Sequence, residues 1–367
     1  MKTLARRFGS TRTQVSRIAR TLLVLCAAGA ACTATRAFAA DKEVTIAYQD
    51  MMVPWRYAQQ LDEAGKATGY KVSYRKFGGG GDVIRAMASG NVQLGEAGSS
   101  PVAAGLSQGL PIQLFWILDN INNAEALVAR KGSGVTTIAQ LKGKRLGVPF
   151  VSTSHFHALL ALKRAGLQPG DVKVPKPYCC AKTNVKVLNM RPAEIAAAWE
   201  RGDIDAAYVW NPVLGKIEQN GTVVTTSGKI AAETGLATFD GFVVNRDWAK
   251  ANQPFMAAFV QILAKGDADY RAHPDQWTGA TPKGRAVAAV SGGAPDEVQA
   301  ALALYAFPTP QEQASDKWLG GGSASGAAKS LAATAAFLKE QKTLQSTLPD
   351  YSVGVTDEYV KAAAGIK

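Results

Sequence analysis

The stretch 88-ASGNVQLGEAGSSP-101 has a counterpart in 200-ERGDIDAAYVWNP-212, and that correspondence decides the fold. Each begins where a helical segment is closed by a glycine, Gly90 or Gly202. Each then runs through a short apolar strand to a proline, Pro101 or Pro212, suited to the first turn of a new helix. Between strand and proline lie Gly98-Ser99-Ser100 in the first unit and Trp210-Asn211 in the second. One supersecondary unit used twice predicts two lobes built alike, each presenting strand ends and a helix N-terminus to the space between them. Ligands of open α/β sheets bind outside those strand ends.

Outward from these units, strand-like and helix-like segments alternate. Runs rich in β-branched and apolar residues predict strands at 44–49, 71–77, 92–97, 111–118, 126–131, 144–150 and 204–210. Helices are expected at 54–68, 82–89, from Pro101 onward, at 155–165 and at 192–201. That order points to α/β architecture with largely parallel sheets. The tail from about residue 267 reads as helical, with helices at 327–340 and 356–364 and a glycine-rich loop, 320-GGGSASG-326. It is expected to pack back on the first lobe.

The N-terminus has a different character. Residues 1–20 carry six basic side chains and no acid, and the apolar run 21-TLLVLCAAGAAC-32 and the small residues of 37-AFAA-40 follow. This is the anatomy of a secretory signal peptide over residues 1–39, with the mature chain starting at Ala40 or Asp41. The apolar run is too short to span a bilayer. Without residues 1–39, which hold seven basic residues and no acid, the net charge falls from +12 to +5. The basic excess is therefore mostly export signal, and no basic-aromatic patch argues for nucleic acid. Only Cys179 and Cys180 remain, in 177-PYCCAK-182, with no metal-ligand spacing.

Four consecutive glycines, Gly78 to Gly81, suggest a phosphate loop but lack both the Lys-Ser/Thr and the GxGxxG pattern. A tight strand-to-helix turn with Asp82 as N-cap is the better account of them. Better anion donors are Gly98-Ser99-Ser100-Pro101 and Val151-Ser152-Thr153-Ser154. Each sets hydroxyls and free backbone N–H groups at a helix start, where the dipole favours an anion. For either motif alone ordinary N-capping is the better account; two facing motifs, one per lobe, fit a ligand site as well as they fit capping. Trp55, Phe150 and Trp210 fit either the cleft wall or the core. Glu125 and Asp240 each precede an apolar strand, on the hinge side of the cleft if those strands cross between lobes. His155 and His157, two apart, do not share a helix face and offer no metal or catalytic pair.

The ordered blocks AYQ (47–49), YRKF (74–77), IRAMASGNVQLGEAGSSP (84–101), EALVARK (125–131), GKRLGVPFVSTSH (143–155), AEIAAAWERGDIDAAYVWNP (193–212) and TFDGFVVNRD (238–247) resemble the taurine-binding periplasmic proteins of sulfonate ABC transporters. The resemblance implies a type II periplasmic binding protein: two α/β lobes, a two-strand hinge and one ligand cleft. The expected division is 40–125 and 243–367 for the first lobe and 126–242 for the second. The resemblance also implies that Ser99, Ser100, Ser152, Thr153 and Ser154 surround a sulfonate. Asp240 would meet an ammonium, with Gln49, Glu125 and Trp210 lining the site, and the four glycines would only turn the chain. The chain departs from the family at Val53-Pro54, where members often carry Glu-Pro, and at the insertion 175-PKPYCCAKTNVK-186. Met51, Met52 and Trp55 would then make a bulkier, less polar rim.

The expected function is a periplasmic, monomeric binding protein that delivers taurine or a related small sulfonate to a membrane ABC permease. No cofactor, metal or nucleic acid is implied. A bulkier or amine-free sulfonate, or a sulfate ester, is the alternative ligand. An enzyme on the same fold lacks a nucleophile-base or metal constellation, and a ligand-sensing regulator would not need an export signal.

Overall fold

The computed structural model describes residues 42–170 and 184–366. The signal segment, Cys179 and Cys180 lie outside the described residues. So does most of the 175–186 insertion, whose last residues, 184–186, open a strand.

Among the described residues, eleven strands form two sheets. The first contains β1 (Glu43–Tyr48), β2 (Lys71–Lys76), β3 (Leu94–Gly98), β4 (Ile112–Asn120) and β11 (Phe239–Asn245) in the order β2-β1-β3-β11-β4. The second contains β5 (Glu125–Arg130), β6 (Arg145–Val148), β7 (Gln168–Pro169), β8 (Asn184–Asn189), β9 (Ala206–Trp210) and β10 (Gly221–Thr226) in the order β10-β5-β9-β6-β8-β7. In the first sheet β3 lies between parallel β1 and antiparallel β11. In the second, β9 lies between parallel β6 and antiparallel β5. The two echoing sequence units therefore hold the same place in two sheets of the same order.

The sheets are mixed, not largely parallel. The chain leaves the first sheet at Asn120, enters the second at Glu125 and returns through β11 at Phe239. Strands that follow such a crossing run against the parallel strands beside them. They begin at the edge where those parallel strands end, so their first residues join the loops that follow β1, β3, β6 and β9. Asp240 is thus inside β11 rather than before it, and Glu125 is the first residue of β5.

Helix boundaries differ at three points. The segment expected as one helix at 54–68 is two, Arg56–Gln60 and Glu63–Thr68, separated at left-handed Asp62, whose side chain accepts from the Gly65 N–H. The helix expected from Pro101 starts at Ser99. The helix after the glycines starts at Gly80 with Gly79 as N-cap; Asp82 lies in its first turn and pairs with Arg85 instead.

The tail does return to the first sheet: the Glu358–Ala364 helix packs on β4, and the Gly326–Glu340 helix packs on the Ser99–Ser107 helix. The same Gly326–Glu340 helix also reaches the second half, where Phe337 meets Phe156 edge-on at 5.2 Å. No helix among the described residues is long and apolar enough to cross a membrane.

Candidate functional site

Six of the nine residues expected at the ligand line one small space where the two sheets face each other; Ser99, Ser100 and Ser154 do not line it. Gln49, Met51, Gly80, Gly98 and Asp240 come from the first-sheet side, and Glu125, Ser152, Thr153 and Trp210 from the second. The space they enclose is about 10 Å³, the size of one water probe. The two halves are shut on each other. Trp210 Nε1 donates to Asp50 Oδ1 across the junction at 2.7 Å, and Arg191 pairs with Asp82 at 3.5 Å.

Two helix N-termini meet here. A Cβ at Gly98 would stand 2.7 Å from the Thr153 methyl and 3.1 Å from Asp240 Oδ1, so only glycine lets the Ser99–Ser107 and Thr153–Arg164 helices approach this closely. Gly80 is a further close-approach glycine, where a Cβ would meet Pro101 Cγ at 2.6 Å. The glycine run therefore does more than turn the chain: it brings a cavity wall into place. Val151 holds φ at +54° just before the second helix, a left-handed conformation rare for a β-branched residue. Backbone strain of this kind is found at functional sites.

The five hydroxyls divide into two groups. Ser152 is the cap itself: its Oγ accepts from the His155 N–H at 3.0 Å and donates to the Pro149 carbonyl at 2.5 Å. Thr153 donates to Glu125, which also accepts from Ser227 Oγ at 2.9 Å. The hydroxyls of Ser99, Ser100 and Ser154 are fully buried and have no partner among the described residues. Buried polar groups are nearly always satisfied, so three orphans at two converging helix ends are hydroxyls available to a bound group.

Carboxylates close the other side. Burial, then repulsion from Glu125, pushes the Asp240 carboxyl well above the ordinary range, against an opposing pull from Arg56. Burial also raises Asp50, against the Trp210 hydrogen bond. His155 lies beneath Phe150, stacked at 4.4 Å, and burial lowers its pKa to about 4. Phe150 itself is 39% exposed and stands at the mouth between the halves.

Met52 and Trp55 are not rim residues. Both are core: Trp55 packs edge-on against Phe242 at 5.3 Å, and only Met51 of the expected trio lines the cavity. The reason is a buried ion pair that sequence reasoning missed. Arg56 binds Glu96 through both oxygens at 2.6 and 2.8 Å and also donates to the Gln49 and Met51 carbonyls. Trp55 Nε1 donates to the same Glu96, and so does the Gln49 N–H at 2.8 Å. Glu96 thereby draws the 49–56 segment inward and fixes Gln49 and Met51 at the cavity. Asp119, fully buried beside Asp240, was also missed. The single sequence signal for either was an acid within an otherwise apolar strand, at 94-LGEAG-98 and at 112-IQLFWILDN-120.

Comparison with known proteins bears on the family and the fold. The NMT1/THI5-like family matches residues 66–277. The taurine-binding periplasmic protein of Escherichia coli (strain K12) is 36% identical over 318 residues, 87% of this chain and 92% of that protein. Among solved structures, the alkanesulfonate-binding protein SsuA of Xanthomonas axonopodis pv. citri, bound to MOPS, superposes with a TM-score of 0.65 at 20% identity, over 87% of this chain and 97% of that one. The periplasmic aliphatic sulphonate binding protein SsuA of Escherichia coli gives 0.64 at 19% identity, over 86% and 92%. The last two show the periplasmic binding protein fold. The chain belongs to the NMT1/THI5-like family, within the group that contains the taurine-binding periplasmic protein.

Proposed function

We propose that this protein is the periplasmic substrate-binding component of an ABC importer, and that it captures taurine or a closely related aminosulfonate between two closing lobes. The two sheets and their helices are the lobes, close to the expected 40–125 with 243–367 and 126–242, except that Glu125 goes with the second sheet and residues 239–242 with the first. The observation that carries this reading is the presence of orphan Ser99, Ser100 and Ser154 hydroxyls at two helix N-termini whose neighbours Gly98 and Thr153 line a small space together with Asp240 and Glu125. Neutral donors satisfy a sulfonate at any physiological pH, because it stays ionised. A buried ammonium needs a carboxylate, since a charge stripped of water without a partner is costly. The 36% identical relative is named for taurine, which has both groups.

The same contacts favour binding without turnover. Ser152 is occupied as a cap, its hydroxyl donating to the Pro149 carbonyl, and among the described residues no serine hydroxyl lining the cavity is hydrogen-bonded to a histidine ring or a carboxylate. The tripartite signal over residues 1–39 supports export. Intact mass of protein from a periplasmic extract is expected to begin at Ala40 or Asp41; an unprocessed cytoplasmic chain would contradict that.

Asp240→Asn keeps the shape and removes the charge. It is expected to cost taurine about 2–5 kcal/mol of binding, while ethanesulfonate loses much less or gains. Calorimetry with both ligands on both proteins decides it, and equal losses would mean that Asp240 only braces β11.

A further inference from the structure

Asp119 and Asp240 stand directly opposite one another across β4 and β11. Opposed residues of an antiparallel pair share a sheet face, with Cβ atoms about 4.5–5.5 Å apart. Both side chains are buried, and neither Asp119 oxygen has a hydrogen-bond partner among the described residues. The groups that act on the pair are mostly acids or neutral: Glu96 of β3, Glu125 of β5, Asp267 of the Gln253–Ala272 helix and the buried Tyr305 hydroxyl. Arg56 is the cation acting on Asp240, and it is bonded to Glu96. Two carboxylates this close with no cation of their own cannot both be ionised at low cost.

We infer that Asp119 and Asp240 share one proton in the ligand-free protein, and that the ammonium of an entering aminosulfonate displaces it to solvent. This rests on the ligand reading above. The exchange balances: an O–H bond of the pair breaks, its electron pair stays on the carboxylate, the proton leaves, and the ligand's R–NH3+ takes over the charge it neutralised. Burial, then repulsion from Asp240, already holds Asp119 well above the ordinary carboxyl range, in line with this assignment. The bound state then carries fewer protons than the free state. Affinity for taurine rises with pH by about tenfold per unit below the free pair's pKa and levels off above it. An amine-free sulfonate gives no such gain.

Two measurements test this. Infrared spectra of the ligand-free Asp267→Asn protein at neutral pH, which lacks the other buried unpartnered carboxyl, should contain the carbonyl band of a buried protonated carboxyl, and adding Asp119→Asn should remove it. Its absence from the Asp267→Asn protein, or its survival in the double variant, overturns the shared proton. Calorimetry of taurine binding in two buffers of different ionisation heat should show release of about one proton per ligand. Taurine binding with no buffer dependence overturns the inference while leaving the taurine reading intact. If the band behaves as expected but taurine gives no heat and no thermal shift, the shared proton stands and the displacement step falls with the ligand assignment. The two-buffer calorimetry on the wild type is decisive by itself should an Asp119→Asn protein fail to fold.

Discussion

Asp267 of the Gln253–Ala272 helix is buried, and neither of its oxygens has a hydrogen-bond partner among the described residues. Burial pushes its carboxyl well above the ordinary value of 3.8, only partly offset by Arg271. A group whose folded pKa is raised contributes its full share of stability below the unfolded pKa, and that share is lost as pH rises through the folded pKa. Asp267→Asn should therefore raise the melting temperature, and the gain over wild type should grow between about pH 5 and about pH 8. Melts of both proteins across that range check it; a gain independent of pH would contradict it. Residues of this kind were silent in the sequence. Ser99, Ser100 and Ser152 to Ser154 were legible because a helix start carries a local signature of glycine, hydroxyl and proline. Asp119, Asp267 and Glu96 acquire their roles only once distant strands and helices bury them, and no local pattern announces that. Trp55 misled for the same reason: its position beside Met51 suggested a rim, but the bond to Glu96 turns it into the core.

At the scale of elements, the internal echo was the most dependable guide, since β3 and β9 hold equivalent places in their sheets. The alternation of strands and helices did not reveal that β5 and β11 run antiparallel to their neighbours, because direction depends on where the chain crosses between sheets. Those two reversed strands deliver Glu125 and Asp240 to the site. The loop after β1 is held by the Arg56–Glu96 pair, both fully buried. Removing one partner leaves a buried charge uncompensated, so Arg56→Met should cost about 3–5 kcal/mol of folding stability. Replacing both with apolar residues should recover much of that loss. Urea unfolding of the single and double variants tests this, and a single-variant loss below about 1 kcal/mol would show the pair to be far less demanding than its burial implies.

For the molecule as a whole, the described conformation is shut. Trp210 reaches Asp50, Arg191 reaches Asp82, and the enclosed space admits little more than one water probe. The chain passes between the two sheets through two short segments, 121–124 and 235–238. Two such connections are the geometry of a hinge, and a ligand that touches both halves favours the closed state by its differential contacts. The central claim is that such a ligand is a small aminosulfonate, held without being changed. Small-angle scattering of the mature protein, with and without saturating taurine, tests it most directly when the same samples are analysed by mass spectrometry. With taurine the radius of gyration is expected to fall and the ligand to be recovered intact. An unchanged radius at saturation, or a new product in the ligand fraction, would contradict it.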